Sequence, residues 1–97
     1  MPGFVMFGTF RATPGKRDEL LSLLLADQQP MDGCELYLVG PSGEDPDAIC
    51  IVERWVDEAA HAASLALPSV RATIERAMPL IAEMSGTKFE PTGGIGL

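Results

Sequence analysis

The sequence predicts an α+β domain of the ferredoxin-like, split βαβ kind: one four-stranded antiparallel sheet carrying helices on one face. Three observations predict it. Four short runs are rich in β-branched and aromatic residues, the segments between them space apolar residues three or four apart, and the order reads strand, helix, strand, strand, helix pair, strand. A chain of 97 residues, 46% hydrophobic and 22% charged, has globular composition and room for one domain. We place that domain at residues 1–92 and read 93–97, Gly-Gly-Ile-Gly-Leu, as a loose flexible tail. No internal repeat or low-complexity segment interrupts it.

Phe4 to Ala12 reads as the first strand. Thr13 suits a helix N-cap, Pro14 a first turn, and Asp18 and Glu19 the positive end of a helix over 14–28. Leu20, Leu21, Leu24 and Gln28 share its apolar face, and Pro30 and Gly33 end it. Strands follow at 34–40 and 47–56, joined as a hairpin through the loop Gly40 to Pro46. Asp57 is a good N-cap for a helix at 57–66. Pro68 opens another, over 68–84, with Val70, Ile74, Ala77, Met78 and Ile81 as its buried stripe and Pro79 as a break or kink. Gly86 ends the helical region, and a last short strand is expected at 86–91.

A formal net charge of −7 with scattered Lys and Arg disfavours nucleic acid and anionic membrane surfaces as partners. The N-terminus lacks a basic segment followed by an apolar one, and no apolar run approaches the roughly 20 residues of a membrane span, so the expected location is cytoplasmic. One histidine and two cysteines, Cys34 and Cys50, do not supply a usual metal-ligand set. Both cysteines lie in apolar runs and read as buried thiols rather than a disulfide. There is no dinucleotide-binding glycine motif, phosphate loop or nucleophile elbow.

In the third strand Ile49 and Ile51 point to one side and Cys50 and Val52 to the other, so both faces of the sheet need burial. Helices cover one. Isologous packing against a second copy would cover the other, which predicts a homodimer.

Three stretches together resemble the antibiotic biosynthesis monooxygenase family: Pro14-Gly15-Lys16-Arg17-Asp18-Glu19-Leu20 after the first strand, Gly33-Cys34-Glu35-Leu36-Tyr37, and Glu53-Arg54-Trp55-Val56-Asp57-Glu58-Ala59-Ala60-His61. The resemblance covers nearly the whole chain. It implies a dimeric α/β barrel with a ligand cavity in each subunit. It also implies cofactor-independent oxidation of a quinol-like or polyketide aromatic substrate by molecular oxygen, the substrate anion itself donating an electron. A related branch degrades haem with the help of an Asn, as do some anthrone oxidases in their own chemistry; this chain has no asparagine, which counts against the haem reading. A non-enzymatic dimer that sequesters a small apolar molecule is the alternative, and isomerase-like proton chemistry a third reading.

His61 matches the family's helix histidine. It reads as a general base for a phenolic proton or as a hydrogen-bonded helix residue. Trp55 and Tyr37, the sole Trp and Tyr, either line an aromatic pocket or pack in the core. Glu53 shares a strand face with Trp55, while Arg54 points away. Arg11 is the expected ion-pair partner of Glu53, as a structural pair or as part of a substrate site. Met6, Met78 and Met84 are candidates for a pliable pocket wall or for core filling, and Arg71 and Arg76 read as solvated helix charges.

Overall fold

The computed structural model describes residues 3–26 and 30–96. It contains β1 (Phe4–Ala12), α1 (Arg17–Ala26), β2 (Cys34–Pro41), β3 (Ala48–Trp55), α2 (Glu58–Ser64), α3 (Pro68–Ala77), a 3-10 turn (Met78–Leu80) and β4 (Ile81–Phe89). The sheet order is β2-β3-β1-β4 with every neighbouring pair antiparallel, which is the ferredoxin-like arrangement.

The alternation along β3 divides the molecule. Ile49, Ile51 and Trp55 are buried on the helix side, while Cys50 and Val52 on the other side are exposed. The core lies between sheet and helices, where Ala12, Leu20, Ile49, Ile51 and Ala77 form one buried cluster, with Phe10, Val39, Leu80 and Ile81 packed against it. On the opposite face Phe7, Leu38, Val52 and Phe89 are exposed, with Phe7 and Phe89 ring centroids 6.2 Å apart.

Three boundaries differ from expectation. Helix α1 begins at Arg17, because Gly15 takes φ 80 and Lys16 N–H closes a turn onto Thr13 O at 2.9 Å. A left-handed residue cannot propagate a right-handed helix, so Thr13 is not its cap. The expected end of this helix, with Gln28, lies outside the described residues.

The last helix stops at Ala77 rather than 84, and β4 starts at Ile81 rather than 86. Pro79 has no N–H to give a continuing helix. Beyond it, Ala82, Glu83 and Met84 would accept helix by propensity, but β1 offers them a full ladder, pairing Arg11 with Glu83 and Phe10 with Met84. Pairing with a neighbouring strand overrides intrinsic propensity. Gly86 therefore lies inside the strand, opposite Gly8.

Asp57 caps α2 as expected, its carboxylate accepting from Ala60 N–H at 2.8 Å. Among the described residues, no helix is long and apolar enough to cross a membrane.

Candidate functional site

A cavity of about 480 Å3 opens between the sheet and the helices, beside the close-packed core. Its floor is sheet: Phe10 from β1, Tyr37 from β2, and Glu53 and Trp55 from β3. Strand register explains the grouping. Tyr37 pairs directly with Glu53, and Cys34 with Trp55, so all four side chains emerge on the helix face. Helices α2 and α3 form the roof with His61, Ser64, Val70 and Ile74, and Met31 closes the side before β2.

His61 sits where α2 meets the floor. Its ring lies 5.4 Å from the Trp55 indole, edge-on, and 5.6 Å from Phe4. Ser64, buried, donates its hydroxyl to the His61 carbonyl at 2.6 Å. Among the described residues, no hydrogen bond engages the imidazole nitrogens. The short connection from β3 to α2 sets this geometry. Val56 N–H donates to Gly33 O at 2.8 Å, and Gly33, at φ 81, lies so close to α2 that a Cβ there would be 2.6 Å from the Ala60 methyl carbon. Helix α2 thus seats directly on the start of β2.

Trp55 is almost wholly buried, and its indole N–H donates to Glu53 Oε1 at 3.0 Å. The pairing expected between Glu53 and Arg11 does not occur. Arg11 faces the other side of the sheet and holds Asp45 at 2.6 Å in the loop after β2, because β1 alternation turns Arg11 away from Phe10. Arg11 does not line the cavity. Arg54 also faces away and lies 3.3 Å from Glu35.

The surroundings suppress ionisation of both acidic donors on β2. Burial, with the Glu53 charge beside it, pushes the Tyr37 hydroxyl up to about 12. Burial likewise raises the Cys34 thiol, reinforced by Glu53 and Glu35 and opposed by its 3.6 Å hydrogen bond to Leu36 O. Cys34 is therefore a neutral thiol in a half-apolar wall, not an activated nucleophile. Cys50, expected to be buried, is exposed on the opposite face of the sheet, and both cysteines are free. Among the described residues, no three His, Cys, Asp or Glu side chains converge as a metal cage.

The comparisons with known proteins agree with this architecture. The antibiotic biosynthesis monooxygenase sequence profile matches residues 3–76. The chain belongs to the antibiotic biosynthesis monooxygenase family. A candidate member of this family from Chloroflexus aurantiacus J-10-fl is 42% identical over 97% of both chains, with a TM-score of 0.89. Another, from Deinococcus radiodurans, is 28% identical over 97% of both chains at a TM-score of 0.78. SnoaB, a cofactor-independent oxygenase from Streptomyces nogalater, shares the fold at a TM-score of 0.78, covering 98% of each chain at 15% identity. No curated protein matches the sequence.

Of the residues singled out from the sequence, the cavity brings together His61, Trp55, Tyr37 and Glu53 and leaves out Arg11. The apolar face of α3 differs from expectation. Val70 and Ile74 were expected in the core stripe, yet both line the cavity, and of that stripe only Ala77 is buried. Met78 and Met84 are exposed, and Met31 takes the place expected of a methionine in the cavity wall. A helix face that roofs a cavity and one that packs a core carry the same apolar spacing. The distinguishing trace is Ser69 and Thr73, polar residues one turn apart that also line the space.

Proposed function

We propose that this family member is a cofactor-independent monooxygenase, oxidising a quinol-like or polyketide aromatic with molecular oxygen. The observation that carries this reading is His61, its ring nitrogens free of protein partners among the described residues, held against Trp55 in the wall of an aromatic cavity. An imidazole so placed takes the phenolic proton of a bound ring. The resulting anion passes an electron to oxygen. For a ring carrying a reactive methylene, two hydrogens and one oxygen atom leave as water, and the other oxygen stays as a carbonyl. The flat walls of Trp55 and Tyr37 orient the ring and limit water around the anion.

In this proposal residues 1–92 form the working unit, 93–97 a tail, and two copies pack by the open sheet face that bears Phe7, Leu38, Val52 and Phe89. That packing would cover the apolar side chains that this face exposes.

Oxygen uptake by metal-free protein with a panel of quinols tests the activity. Wild type is expected to consume oxygen with at least one of them, and His61→Ala to slow it by about a hundredfold or more. Uptake that is unchanged in the variant sinks the role of His61. Ligand binding without uptake across the panel supports a sequestering protein instead.

A further inference from the structure

All seven basic side chains of this protein lie within the described residues, and none lines the cavity. Five are engaged in ion pairs: Arg11 with Asp45, Lys16 with Glu19, Arg17 with Asp18, Lys88 with Glu58, and Arg54 with Glu35 at the cavity's edge. Arg71 and Arg76 project from the exposed side of α3. The wall carries two carboxylates, Glu35 and Glu53. Arg54 lies 3.3 Å from Glu35, whereas no Lys or Arg among the described residues is paired with Glu53. One of the Glu53 oxygens accepts from the Trp55 indole. The other has no hydrogen-bond partner among the described residues.

We propose that Glu53 makes the cavity selective for neutral aromatic ligands that donate a hydrogen bond, and that it excludes aromatic acids and other anions. The inference rests on reading the cavity as a ligand site. A partly buried carboxylate with no cation beside it repels a second negative charge over the few ångströms available, and the half-apolar wall screens that repulsion poorly. A hydroxyl instead finds a charged acceptor, the stronger kind of hydrogen-bond partner. Tyr37 works in the same direction, since its hydroxyl stays protonated through the physiological range and adds no compensating charge. A substrate bound neutral and deprotonated only inside the site would also hold its anion at higher energy beside Glu53. A higher-energy anion gives up an electron more readily.

The test uses a matched, redox-stable pair, 2-naphthol and 2-naphthoate, titrated calorimetrically into the 97-residue chain at pH 7. Wild type is expected to prefer the naphthol by at least about tenfold. Glu53→Gln, checked for folding by its thermal transition, should reduce that ratio about fivefold or more. Leu65→Lys places a cation at an exposed position of the wall. It is expected to raise naphthoate affinity relative to naphthol, and if Glu53→Gln does not fold, the wild-type preference for naphthol decides the matter.

Equal affinity for the two ligands in wild type, or a ratio indifferent to both substitutions, overturns the proposal. Failure of both ligands to bind overturns it together with the ligand-site reading. Selectivity in a protein that consumes no oxygen leaves it standing and removes only the oxidation.

Discussion

The two faces of the sheet are built from alternating residues of the same strands, yet they have opposite characters. The helix face is partly solid core and partly cavity, and its polar groups are few and placed: Glu53 on the indole N–H, and Ser64 on a backbone carbonyl. The other face exposes Phe7, Leu38, Val52 and Phe89 without a cover. Apolar character alone thus does not mark a binding site. On one face it surrounds a concave space with a few directed polar atoms, while on the other it forms the broad surface expected of a contact between protein copies.

The sharpest way to break this comparison uses neighbouring residues of β3. Ile51→Asp puts a charge under the helices with no partner and should cost more than about 4 kcal/mol, enough to abolish a cooperative thermal transition in so small a domain. Val52→Asp puts the same charge on the open face. That variant should fold, and sedimentation should find it at the 10.3 kDa monomer mass, with wild type expected at twice that. If Val52→Asp is as damaging to folding as Ile51→Asp, the open face is not a surface in the free subunit. If wild type is itself a monomer at micromolar concentration, the proposed homodimer is wrong.

Thiol labelling sharpens the same contrast with a smaller effect. Cys50 on the open face should react with a disulfide reagent at pH 8 about tenfold faster in Val52→Asp than in wild type, because the proposed partner copy shields it. Cys34 should stay slow in both, since its raised pKa leaves little thiolate. Equal Cys50 rates in the two proteins count against shielding by a partner.

The smallest effect is at Tyr37. Its hydroxyl is pushed from 10.0 to about 12 in the folded chain. The folded state therefore holds this proton more tightly than the unfolded state does. Its contribution to stability is complete below pH 10 and is lost as pH rises through about 12. Tyr37→Phe should flatten the decline in thermal midpoint between those values. An ultraviolet titration showing tyrosinate near 10 in folded protein contradicts the buried, carboxylate-flanked environment.

Much of this was legible in the sequence because it depends on local rules. Alternation placed Glu53 with Trp55 and set Arg54 against them, the Asp57 cap fixed the start of α2, and Pro79 marked a real break. What was not legible depends on distant partners. Ala82 to Met84 became strand only because β1 was free to pair. Arg11 sought Asp45 in a loop whose path no periodicity describes. Ile74 and Val70 look like core from their spacing, and only the gap left between α3 and the sheet turns them into a cavity roof.

Trp55 has a practical consequence. It is the sole tryptophan, nearly inaccessible to water, hydrogen-bonded to a carboxylate and edge-on to an imidazole. All indole emission from this protein therefore originates at one chromophore in the cavity wall. Its colour follows water entry and its intensity follows the state of the neighbouring ring, so occupancy, imidazole charge and unfolding can each be followed optically without attaching a dye.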